Sequence, residues 1–154
     1  MQYSLWRLLL NILLALHNLN RWIVVVLIVV VLVRAYAGWL QKKGWVDLDR
    51  RVSLWTTIAL DVQLLLGLVL YLGDWLPLWS DVGAVMSTPL LRLFALEHPF
   101  YALLAVIAAH VGSSGARRTA DALAQHRFLA LAFSLVMLFI LVGMPWSRPL
   151  LRGF

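Results

Sequence analysis

Apolar residues run almost unbroken along four stretches of the chain, and polar residues collect between them. The first stretch, residues 1–40, would extend about 60 Å as a helix, twice the ~30 Å hydrocarbon core of a bilayer. That length predicts two parts. Ser4, Arg7, Asn11 and Asn18 recur at helical spacing with Trp6 and many leucines between them. This is the pattern of an amphipathic helix lying in the membrane interface over about 3–16. His17, Asn18, Asn20 and Arg21 then mark a bend into a first span over about 17–37, through IVVVLIVVVLV. No small-residue cleavage pattern follows, so the N-terminal run reads as part of the membrane domain rather than as a leader.

QKKGWVDLDRR at 41–51 is a polar loop, and Asp49 or Ser53 is placed to cap a second span over about 53–72. Ser53, Thr57 and Asp61 are spaced four apart and share a face. A polar stripe on a membrane helix normally looks inward, and Gly67 permits close helix approach. The segment 73–89 combines Gly-Asp, two prolines, and Trp75 and Trp79 at headgroup level, which predicts a short re-entrant or interfacial turn. A third span covers about 91–112. SSGARRTADALAQHR at 113–127 is a polar connector in which 119–125 can extend as helix. The fourth span, about 128–144, is apolar all round except Ser134, so it is expected to face lipid or a partner. Pro145 and Trp146 end it. The fold class is therefore an all-α integral membrane protein, a four-transmembrane-helix antiparallel bundle with an N-terminal interfacial amphipathic helix, in one membrane domain over 1–154. The helix pairs share no motif, which disfavours an inverted-repeat transporter.

Composition agrees. The chain is 63% hydrophobic and 13% charged, with a mean hydropathy of +0.88, whereas soluble domains are roughly half apolar and a quarter charged. The absence of cysteine excludes disulfides, thiolate metal sites and covalent haem attachment. The net charge of +6 fits basic loops beside anionic lipid rather than nucleic-acid binding. Arg34, Lys42, Lys43, Arg50, Arg51, Arg117, Arg118 and Arg127 fall on one side, and Arg7, Arg21, Arg92, Arg148 and Arg152 on the other. The richer side is assigned to the cytoplasm of a bacterial inner membrane, which leaves both termini outside, in the periplasm.

The third span carries the chemistry: Glu97, His98 and Pro99 in its first third and His110 near its end. Ionisable groups within a span cost about 2.5–3.5 kcal/mol each on insertion scales and usually face a partner or cavity. Arg21 and Glu97 have opposite charge and similar depth, so a pair between them would offset the burial of each, as a structural clasp or as part of a site. His17 and His98 can meet across the same helices. Two neutral imidazoles on facing helices suit a b-type haem, with Arg21 or Arg92 at a propionate. The same pair with Met86 and Met144 would suit copper, and a purely structural role for both histidines stands beside these. His98 and His110 are 12 residues apart, about 120° around the axis, which does not suit two haems stacked on one face. His110 is expected to face Asp61 or His126, or simply to bond a helix-end carbonyl. Asp61 with Thr57 and Ser53 forms either a proton or polar stripe or a packing contact. Nucleophile, hydrolase and nucleotide motifs are absent.

LHNLNRW at 16–22, GWLQKKGWVDLDRR at 38–51, ALDVQLLLGLVLY at 59–71, EHP at 97–99 and MPWSRPL at 144–150 together resemble a group of small four-span bacterial inner-membrane proteins of poorly defined function, loosely labelled cytochrome b-like. The resemblance implies haem and intramembrane electron transfer. The group often has histidine where this chain has Asp61, so a scheme with a second-span histidine ligand does not carry over. Three functions follow as expectations. The first is a b-type haem protein with His17 and His98 as axial ligands, Arg21 and Glu97 beside them, and a quinol or another membrane subunit as partner. The second is a non-catalytic accessory or assembly subunit of a larger membrane complex. The third is a small oligomeric transporter.

Overall fold

The computed structural model describes residues 2–146, and it is helical with no strand among them. Ser147–Phe154, which hold Arg148, Arg152 and the end of the MPWSRPL motif, lie outside the described residues, as does the side chain of Ser4. Four helical stretches, Leu5–Leu40, Asp47–Ser80, Pro89–Arg117 and Ala122–Gly143, are long and apolar enough to cross a membrane.

The first helix, α1, runs unbroken from Gln2 to Leu40. The bend expected at His17–Arg21 is not there, and the segment 3–16 continues the span as one helix. The reason is local. No proline or glycine occurs before Gly38, and sharp kinks almost always need one of these, a π-bulge or an inserted group. The asparagines that suggested a bend are tolerated because Asn20 turns its side chain to a neighbouring helix.

The second helix, α2 (Asp47–Leu70), begins six residues before the expected Ser53. Asp47 pairs with Arg50 and Arg51 three and four residues on. The Val46 N–H donates to the Asp49 carboxylate at 3.0 Å, so Asp49 does close the helix start, from inside its first turn. The expected turn at 73–89 instead begins as a continuation of α2, through a π-helical turn at Tyr71–Trp75 and a 3₁₀ turn at Leu76–Ser80. Two short helices follow, α3 (Val82–Ser87) and α4 (Pro89–Arg92). A second π-turn, Leu93–Glu97, leads into α5 (His98–Arg117). The last helix, α6, spans Ala122–Gly143, and the Asp121 carboxylate accepts the Ala124 N–H at 2.9 Å as its cap.

α1 packs on α2 and α6, and α5 on α2 and α6. The shared core holds Val24, Ile28 and Val31 of α1, Leu60 of α2, Ala105 and Ala109 of α5, and Phe133 and Val136 of α6. α6 therefore buries one face, Leu129, Ala130, Phe133 and Val136, and leaves Leu131, Leu135, Leu138 and Val142 exposed on the other. Lipid is as apolar as leucine, so close van der Waals contact rather than water exclusion holds such helices together. Gly112 shows how close it is: a Cβ there would collide with Ala132, and one at Gly115 would lie 2.7 Å from the Phe128 ring.

Candidate functional site

Pro99 shapes the approach to the histidine pair. A proline has no N–H to give to the carbonyl four residues back, and its ring crowds that carbonyl. Here the backbone widens into the Leu93–Glu97 π-turn, in which the His98 N–H bonds the Leu93 carbonyl. The released Ala95 carbonyl accepts the Tyr71 hydroxyl at 3.1 Å. Tyr71 in turn accepts the Trp79 indole N–H at 2.7 Å. One missing donor is thus answered by the π-turn that follows α2. π-turns recur at functional sites, and this one sits directly before His98.

His98 donates from Nδ1 to the Gly143 carbonyl at 2.8 Å. That carbonyl is one of the last in α6, which have no partner within their own helix. Gly143 brings it near, because a Cβ at that position would sit 2.7 Å from Tyr101. The proton on Nδ1 leaves the Nε2 lone pair of the neutral ring open. This arrangement, a ring nitrogen anchored on a backbone carbonyl, is the usual support of a metal-binding histidine.

His17 lies opposite, with its ring centroid 6.3 Å from that of His98 and the planes at 75°. A chain of bonds fixes its protonation. The Ala59 carbonyl can only accept, so the Asn20 atom at 2.9 Å from it is the amide nitrogen. The same Asn20 nitrogen donates to Gln63 Oε1 at 2.8 Å. Gln63 Nε2 therefore faces His17, donating to the ring Nε2 at 3.1 Å and to the His17 carbonyl at 3.1 Å. The His17 proton then resides on Nδ1, which is buried with no hydrogen-bond partner among the described residues. Gly67 of α2 makes room for this ring, since a Cβ there would lie 3.1 Å from His17 Cε1.

The pair expected between Arg21 and Glu97 is not formed. Glu97 accepts Arg92 Nε at 2.7 Å, and Arg21 lies 5.7 Å from the centroid of the Trp22 ring. The π-turn explains the change: its i→i+5 bonding brings residue 97 back over residue 92. Glu97 therefore belongs to a local ion pair five residues long and not to a clasp between α1 and the third span.

The stripe on α2 is an α2–α5 contact. Ser53 and Thr57 are buried, and their hydroxyls meet that of Ser113 at 2.8 and 3.1 Å. Asp61, further along, meets His110 Nε2 at 2.9 Å, the expected partner, but both side chains are about half exposed, at 40% and 52%. His126, the alternative to Asp61 as a neighbour of His110, is buried beside Trp45 with ring centroids 5.1 Å apart. Arg34 and the buried Asp49 form an ion pair at 2.7 Å that the sequence did not single out.

Two imidazoles are the donor set an in-line metal takes. A metal about 2.0–2.1 Å from each ring nitrogen puts the centroids roughly 6 Å apart. The centroid spacing and the anchoring of His98 match that geometry, while His17 as bonded offers no free lone pair, since Nε2 accepts from Gln63 and Nδ1 carries the proton. Ligation by His17 would require Gln63 to release Nε2, because a turned amide would set its nitrogen against that of Asn20. Among the described residues no three histidine, aspartate or glutamate side chains converge to hold a metal ion. No protein-family model matches the chain, and no curated protein or solved structure is significantly similar to it.

Proposed function

We propose that the chain is a small bacterial inner-membrane protein that holds a b-type haem between His17 and His98. The observation that carries this reading is the 6.3 Å approach of the two rings, one from α1 and one at the head of α5. When bound, the haem supplies one-electron transfer. Gly143 orients His98 for it through Nδ1, and Gly67 leaves room for the His17 ring. Arg21, on the same helix as His17, offers its cation to a propionate, and Arg92 screens Glu97. With no soluble redox domain in the described chain, the electron partner is a quinol or a neighbouring membrane subunit. The spans form an antiparallel bundle in this reading. Residues 41–46 and 118–121 face the cytoplasm, and residues 81–88 lie outside with both termini. The cytochrome b-like grouping belongs to the same proposal.

The test is an absorption spectrum of detergent-purified protein expressed with ample haem, oxidised and then dithionite-reduced. The expected result is a Soret band with sharp reduced α and β bands, lost in both His17→Ala and His98→Ala. A flat spectrum from folded protein overturns the reading.

A second reading, a non-catalytic accessory or assembly subunit, draws on the half-exposed Asp61–His110 pair, an expensive feature for lipid to cover and an economical one for another protein. It predicts co-purification with a larger complex and no chromophore of its own. The transporter reading ranks third, and it predicts that Asp61→Asn abolishes flux in a folded protein.

A further inference from the structure

At the corner between α5 and α6 the surface opens into a groove of about 680 Å³. Its floor is Gly115, against which the Phe128 ring is pressed. The two ends differ. Toward the bilayer centre the walls are Val111 and Phe128, both exposed, with His110 beside them. At the outer end stand Ser114, Arg118 and Thr119.

That outer end is a set of donors. Arg118 is exposed and has no side-chain partner among the described residues. Ser114 Oγ already accepts from Arg117 at 3.3 Å, so its own O–H is left to donate. Thr119 Oγ1 already accepts the Asp121 N–H at 3.3 Å, and its O–H is likewise left over. The connector 113–127 contains Arg117, Arg118 and Arg127 against one carboxylate, Asp121, which the α6 cap engages. A guanidinium and two hydroxyl donors around one opening suit an anion with several acceptor oxygens.

Depth selects which anion. The span ends at Arg117, so Arg118 stands at headgroup level. Val111 is seven residues earlier and about 10 Å deeper along the helix, where acyl chains begin. From this charge complementarity and the polar-to-apolar run of the walls, we infer that the α5–α6 groove binds one anionic phospholipid, with its phosphodiester at Arg118, Ser114 and Thr119 and an acyl chain along Val111 and Phe128. Basic pockets at the cytoplasmic ends of membrane helices take such headgroups. The inference does not depend on haem.

Native mass spectrometry of the full chain in detergent, titrated separately with phosphatidylglycerol and phosphatidylcholine, tests it. The expected result is one retained phosphatidylglycerol, favoured about fivefold over phosphatidylcholine, the scale of one arginine at a membrane surface. Arg118→Gln abolishes the preference, Arg118→Lys keeps it, and Arg50→Gln, in the first turn of α2, leaves it unchanged. Equal retention of both lipids overturns the site, as does a preference that survives Arg118→Gln. Equal loss on Arg50→Gln overturns it too, because attraction is then diffuse. If millimolar inorganic phosphate displaces the lipid completely, the groove is a free-anion site and the lipid assignment fails. If a second copy of the chain crosslinks through the groove and excludes lipid, the occupant is protein and the assignment also fails.

Discussion

At the scale of the residue, the decisive contacts are those that assign protons and charges to named atoms. The Asn20–Gln63–His17 chain links two spans through amides that have one consistent orientation. Gln63→Leu removes the donor from His17 and the acceptor from Asn20 together. It is expected to destabilise the protein by about 1–3 kcal/mol, the usual effect of stranding buried polar groups, measured by unfolding in mixed detergent. The Arg92–Glu97 pair gives a sharper test of connectivity. A double-mutant cycle for Arg92 and Glu97 should return a coupling of about 0.2–1 kcal/mol, as for partly exposed pairs. The cycle for Arg21 and Glu97 should return none. The sequence could not show this pairing. Five residues of α-helix set two side chains about 140° apart, so a spacing rule built on three and four residues passes over it, and only the π-turn brings the two together. His17 and His98 were legible as polar interruptions of apolar spans. The Gly143 carbonyl that orients His98 carries no side-chain signal, and a single sequence offers no means to find it.

At the scale of the element, proline and glycine set the geometry. Pro99 frees the Ala95 carbonyl for Tyr71, so the two residues are energetically linked. Tyr71→Phe should cost about 1 kcal/mol in the native background and clearly less in Pro99→Ala, where a backbone N–H competes for the same oxygen. Thermal unfolding of the two single variants and the double variant measures it. Gly112 sets the α5–α6 distance, and a side chain there meets Ala132. Gly112→Leu should destabilise by about 1–3 kcal/mol through overpacking, with Ala132→Gly recovering part of the loss. The early start of α2 was hidden because VDLDRR reads as polar loop composition. Its charges instead pair along a helix face, Asp47 with Arg50 and Arg51. The unbroken α1 was hidden for the opposite reason: asparagine is a common turn residue, but its side chain can be satisfied across a helix interface and leave the helix intact.

At the scale of the whole molecule, the four apolar helices follow from run length and hydropathy alone, which is why this level was the most legible. Which side faces the cytoplasm rests on arginine and lysine placement, and the cysteine-free chain makes the test clean. A single cysteine at Gly44 should react with an impermeant thiol reagent only from the cytoplasmic side, and one at Asp81 only from the opposite side. The reverse pattern would invert the orientation proposed above. The relay from Ala59 through Asn20 and Gln63 to His17 also has a mechanical meaning. It ties α1 to α2 about halfway along α2, and the Arg34–Asp49 ion pair ties the same two helices again in the first turn of α2. A slip of α1 along α2 by a single residue would break the bonds of both ties at once, and a rocking motion about either one would strain the other. The two ties therefore act as a brace: the long first helix can neither slide along α2 nor swing against it.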